Sequence, residues 1–113
     1  MRVVEIRSYR LQPGSSARFH ALVMQQSLPL MEAAGIDVLA FGPSLLGDEG
    51  YYLIRAFADL ADLQASQDAF YASTAWRTGP RQAIIELIES DSNVVLAMSE
   101  AAIDGLRRIQ AAV

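Results

Sequence analysis

Cysteine is absent from this chain, and so is lysine. Without cysteine there is no disulfide and no thiolate, which removes both a disulfide-stapled scaffold and thiol chemistry. A single histidine, His20, leaves no zinc-ligand spacing, and the acidic residues are scattered rather than clustered, so no metal site is expected. All nine cations are arginine, set against thirteen acids for a net charge of −4. That balance, with no dense basic cluster, disfavours nucleic acid. No apolar run approaches the roughly 18 residues that would span a bilayer. The opening Met1-Arg2-Val3-Val4-Glu5 enters a strand pattern at once and lacks the features of a signal peptide, so the expectation is a soluble cytoplasmic protein.

What is present is 113 residues, 52% of them apolar, which suits one domain around one core. Residues 2–11 alternate as a strand, with Val4, Ile6 and Ser8 on one face and Val3, Glu5, Arg7 and Tyr9 on the other. After a Pro13-Gly14-Ser15-Ser16 turn, Phe19, Leu22, Val23, Leu30 and Ala34 predict a helix over 16–34 that Pro29 should bend or break. A second strand follows over 37–46. A turn at Gly47-Asp48-Glu49-Gly50 leads into a third over 51–57. Asp59 caps a helix over 60–70; a break spans 71–79; Pro80 opens another helix to 89. A fourth strand over 92–98 and a last helix over 100–112, with Ile103, Leu106, Ile109 and Val113 on one stripe, complete the chain.

The order β-α-β-β-α-β plus a helix is the ferredoxin-like α+β arrangement, a four-stranded antiparallel sheet with its two long helices on one face. The other face would then be bare, and it carries too many apolar residues to remain in water. A second copy packed sheet to sheet covers it most simply, so a homodimer is expected.

Val4-Glu5-Ile6-Arg7-Ser8-Tyr9-Arg10-Leu11-Gln12-Pro13-Gly14 resembles the opening strand and turn of the NIPSNAP family, and the third strand running into Phe57-Ala58-Asp59-Leu60 and the Trp76 segment resemble it at matching places. The resemblance covers residues 3–98, so residues 1–98 read as the family domain and 99–113 as a C-terminal helical extension. The family is similar in fold to the dimeric α+β barrel proteins, which include cofactor-independent monooxygenases, haem-degrading enzymes and small isomerases. It implies the barrel and the dimer more than any one reaction.

Candidate site residues follow from position. Phe70-Tyr71-Ala72-Ser73-Thr74-Ala75-Trp76-Arg77-Thr78-Gly79-Pro80-Arg81 holds the only tryptophan, with two guanidinium groups beside it. Trp76 walls a pocket or plugs the end of the core, and Arg77 or Arg81 steers an anion. Arg7 and Tyr9 share a face with Glu5. They form a pocket floor that binds a carboxylate or enolate, or else Arg7 pairs with Glu5 while Tyr9 packs at a dimer edge. His20 is the sole candidate base or haem ligand, and otherwise an ordinary helix histidine. Tyr51 and Arg55 lie on one face of the third strand, where they contribute to a ligand pocket between sheet and helices or else pack on the sheet surface, and Phe41 on the second strand is a further pocket candidate. With no nucleophile elbow and no phosphate loop, the reading is a cofactor-free binder of a small aromatic or anionic molecule, an enzyme of the monooxygenase or isomerase kind, or a non-catalytic dimeric module.

Overall fold

The computed structural model describes residues 1–111. Strand β1 (Arg2–Leu11) is the spine of the molecule, paired antiparallel to β3 (Gly50–Phe57) on one side and β4 (Ile88–Met98) on the other. Strand β2 (Asp37–Pro43) flanks β3, giving the order β2-β3-β1-β4. This is the expected four-stranded antiparallel α+β sheet. The alternation read along β1 sets the two faces. Rows Arg55–Glu5–Val95, Leu53–Arg7–Asn93 and Tyr51–Tyr9–Asp91 cross the sheet on the helix side.

The first helical stretch does not break at Pro29. It runs as α1 (Ser16–Leu22), a π turn (Val23–Ser27) and α2 (Leu28–Ala33), with Pro29 in the first turn of α2. Proline cannot donate to the carbonyl four residues back and its ring crowds it. The wider turn, in which the Leu28 N–H reaches Val23 O, absorbs that mismatch without ending the helix.

The break expected over 71–79 shrinks to extended Ser73 and a turn at Gly79–Pro80. Helix α3 (Leu60–Ala72) is capped by Asp59 as expected, its carboxylate accepting from Asp62 N at 2.7 Å. Ser73 then donates to Phe70 O and accepts from Trp76 N, so it closes α3 and opens α4 (Thr74–Thr78) with one hydroxyl. Trp76 is therefore held on a helical turn. Helix α5 (Arg81–Leu87) follows, and β4 begins earlier than the apolar run suggests. Its polar start at Ser90 and Asp91 pairs with Arg10 and Tyr9 of β1, and a register shift at Glu89 carries the ladder on to Ile88 and Leu11.

The main core lies between the sheet and α1–α5, around Phe19, Val23, Met31, Tyr51, Leu53, Phe57, Phe70, Trp76 and Ile84. The opposite face is not bare. Helix α6 (Glu100–Ala111) lies across its β2 side and buries Ile103 completely against Val4, Leu39, Ala40, Ile54 and Ala56. Leu106 packs at the edge of that cluster, while Val113 of the expected stripe lies outside the described residues. Arg107 clasps Asp37 with both Nη atoms at 2.6 Å, and Arg2 reaches the same carboxylate at 2.9 Å, pinning α6 to the start of β2. The uncovered part is around β4, where Val94 and Leu96 stand exposed on this face and Val95 on the other. No helix among the described residues is long and apolar enough to cross a membrane.

Candidate functional site

Beneath α3 and α4, the helix side of β1 and β3 holds a charged centre. Glu5 and Arg55 face each other across the strands, both withdrawn from solvent, with Arg55 Nη2 donating to Glu5 Oε1 at 2.6 Å. The other Glu5 oxygen accepts from Arg7 Nη2 at 3.2 Å and Asn93 Nδ2 at 2.9 Å. Burial by itself would push the Glu5 carboxyl up. The adjacent Arg55 charge and the bonds from Arg55 and Asn93 outweigh it and hold the group at about 2. Arg55 Nη1 also donates to the Tyr71 hydroxyl at 3.1 Å, and its guanidinium lies 5.9 Å from the Tyr71 ring centre. Arg7 Nε and Arg55 Nε are buried with no hydrogen-bond partner among the described residues.

Next to this centre a groove of about 420 Å³ opens between β1, the start of β4 and α4–α5. Arg7 and Tyr9 form its floor, Tyr71 and Trp76 one wall, Ile84, Ile85 and Ile88 the apolar side, with Arg81 and Asp91 at the mouth. Tyr71 and Trp76 meet edge to face at 5.4 Å, which fixes the wall. Burial, reinforced by Tyr71 and opposed by Arg7 and Arg55, raises the Tyr9 phenol to about 12, so Tyr9 enters any chemistry as a neutral donor.

Behind the wall lies an enclosed void of about 30 Å³, room for a water or two, lined by Phe19, Val23, Ser27, Met31, Tyr51 and Leu53. Tyr9, Tyr71, Trp76 and Ile84 border both spaces. The π turn contributes Val23 and the buried Ser27 to this void, so the irregular turn borders the site.

Arg7, Tyr9 and Trp76 thus come together at one groove. Arg7 pairs with Glu5, as one of the two alternatives had it, and lines the groove as well. Tyr51 lines the void behind. Arg55 does not face a ligand space: it is sealed beneath Tyr71, because Glu5 opposite it needs a partner once buried. Arg77 lies outside the groove, in a surface cleft with Tyr71, Thr74, Thr78 and Arg81. His20 is separate as well: its Nδ1 is 2.6 Å from the Tyr51 hydroxyl and its ring 6.1 Å from that of Phe41, and neither His20 nor Phe41 lines the groove or the void. Tyr71, Asp91 and the isoleucines were not singled out from sequence. Asp91 is placed by its register opposite Tyr9, and Tyr71 by the single-residue break at Ser73.

Comparison with known proteins agrees with this architecture. The NIPSNAP family model matches residues 4–101. A NIPSNAP family protein of Agrobacterium tumefaciens is similar at a TM-score of 0.80 and 19% identity, over 88% of this chain and 95% of that one. A NIPSNAP-like domain protein of Burkholderia xenovorans gives 0.79 and 18%, over 88% and 86%. A candidate antibiotic biosynthesis monooxygenase of Bordetella bronchiseptica gives 0.67 and 22%, over 87% and 97%, a likeness of fold. No curated protein matches the sequence. With almost the whole sheet and all the groove inside the matched span, the chain belongs to the NIPSNAP family.

Proposed function

We propose that this protein binds a small aromatic or anionic molecule in the groove floored by Arg7 and Tyr9 and walled by Tyr71 and Trp76, and does so as a homodimer. One observation carries the reading: guanidinium, phenol and indole groups from three separate chain segments converge on a single groove that borders an interior void. Pure packing does not require two arginines at such a place.

The fold shared with the Bordetella bronchiseptica protein supports an extension to catalysis by analogy. A cofactor-independent monooxygenase or an isomerase works through a substrate enolate or phenolate. Arg7 would hold that anion and Tyr9 would donate a hydrogen bond to its oxygen. His20 does not border the groove, so the substrate itself would enter ionised, or give up its proton to Asp91. Oxygen consumption or isomerisation measured over a set of aromatic and enolic acids tests this. Loss of turnover in Tyr9→Phe with the fold intact supports it; turnover unaffected by Tyr9→Phe sinks it.

The dimer rests on β4. This strand has a free edge and apolar residues exposed on both faces, Val94 and Leu96 on one and Val95 on the other. A strand of that kind belongs inside an assembly, and a second copy supplies the matching surface. Light scattering should give twice the 12.3 kDa chain mass, and Val94→Glu should halve it. A wild-type particle of single-chain mass would overturn the dimer.

The same exposed surfaces support a second reading, a non-catalytic interaction module. Leu45 and Leu46 stand fully exposed in the β2–β3 loop. Such a module would lose partner binding on Leu45→Ser/Leu46→Ser and be indifferent to Tyr9→Phe.

A further inference from the structure

The groove's charges do not cancel, and this defines its occupant. Arg7 is shared between Glu5 and Asp91, the latter at 3.6 Å, and Arg55 is spent on Glu5. Arg81 also lines the groove but has no carboxylate partner and no hydrogen bond among the described residues. Among the described residues Arg2, Arg7, Arg10, Arg55 and Arg107 are ion-paired, and of the four arginines that are not, Arg81 is the one that lines the groove. Three guanidinium groups against two carboxylates leave one positive charge over, in a protein whose net charge is −4. Along the same side of α5 as that charge the groove is apolar: Ile84, Ile85 and Ile88, with the Trp76 indole.

Resting on the groove reading above, we infer that the ligand is a planar aromatic monoanion, a carboxylate or an enolate. Its charged group sits between Arg81 and Arg7 and its ring lies along Trp76 and the isoleucines. One negative charge balances the excess; a second would have to be desolvated against isoleucine side chains with no partner. A cation would meet two guanidinium groups. Tyr71 adds a directional contact. Its hydroxyl oxygen accepts from Arg55 Nη1, which leaves its own proton to give. Arg55 is in this sense a positioning residue for Tyr71. Guanidinium and carboxylate also match in shape, so the clamp selects a planar acid group.

The experiment is calorimetric titration of the purified full-length protein with benzoate, 4-hydroxybenzoate and 2-naphthoate, each paired with its neutral amide. The acid should bind more tightly than its amide by roughly tenfold to a hundredfold, the range of a charged hydrogen bond. Arg81→Ala should abolish that preference, lowering the acid's affinity by far more than the amide's. Arg81 is exposed, so the variant keeps its fold. Arg77→Ala, altered in the outer cleft, should retain the preference. Equal binding of acid and amide, a preference that survives Arg81→Ala, or one that Arg77→Ala removes instead, each overturns the monoanion clamp while leaving a groove that binds neutral molecules. Absence of binding by every acid and every amide overturns the groove reading along with it.

Discussion

Glu5 and Arg55, fifty residues apart in sequence, meet through a 2.6 Å contact in the middle of the sheet's helix side, and neither side chain reaches solvent. An ion pair so placed contributes little relative to an apolar pair of the same shape, but half of it is worse than none. Glu5→Ala should therefore destabilise the fold by about 3–5 kcal/mol, because it leaves Arg55 charged and alone. The double change Glu5→Leu/Arg55→Met should recover most of that loss. Urea denaturation of the three proteins checks it; a double variant as unstable as Glu5→Ala would mean that the pair itself holds the sheet together.

The same carboxylate gives a pH dependence with a definite sign. The Glu5 carboxyl lies at about 2 when folded, against an ordinary value of 4.5. Its contribution to stability is complete above the unfolded value and is lost as the pH falls from about 4.5 towards 2. Asp37, lowered first by its hydrogen bonds to Arg107 and then by Arg2, loses its contribution in the same direction. Stability measured from pH 7 to pH 2 should be flat above about pH 5 and fall below it. Glu5→Gln should flatten part of that fall and leave the share due to Asp37. An unchanged acid limb in Glu5→Gln would remove Glu5 from the account.

Ile103 is the one residue of α6 whose side chain is wholly enclosed among the described residues. Ile103→Ala should cost about 2–5 kcal/mol as a buried large-to-small change. Chain shortening after Met98 should do more: it uncovers Val4, Ile54 and Ala56 and should raise the binding of a hydrophobic dye. A shortened protein as stable as the full chain would show that α6 is not part of the folded unit.

His20 and Tyr51 form a closed pair at 2.6 Å, away from the groove. His20→Ala should leave the Tyr51 hydroxyl unpaired at a cost of about 1–3 kcal/mol. Ligand affinity in the groove should change by less than twofold, read by the fluorescence of Trp76, the only tryptophan. A large loss of affinity with stability preserved would bring His20 back to the binding site.

The fold was legible where local rules decide it. Alternation along β1 sorted Glu5, Arg7 and Tyr9 onto one face, and Asp59 marked the start of α3 before any tertiary contact was known. Arg7, Tyr9 and Trp76 stood out because an acid-base-phenol strand face and a lone indole are unusual in themselves. What was not legible depends on register and closure. Asp91 belongs to the groove because β4 places it opposite Tyr9, and Arg55 is sealed because β3 places it opposite Glu5. Neither pairing leaves a mark at short range. Likewise the apolar stripe of α6 gave a helix but not the surface it covers, which is part of the sheet face expected to meet a second copy.

The π turn at Val23–Ser27 is a phase shift in the first helical stretch. A helix advances about 100° for each residue, so one surplus residue in the turn rotates everything after it by that angle relative to what came before. Phe19 upstream and Met31 downstream can then both point inward at the void. Removing one residue of Met24–Gln26 would close the wide turn, set the Pro29 ring against the carbonyl four residues back, and swing one of these two side chains out of the interior. A change that regularises the backbone would therefore undo the packing around it. The length of this segment is fixed more tightly than its composition: its exposed residues are free to vary, and their number is not.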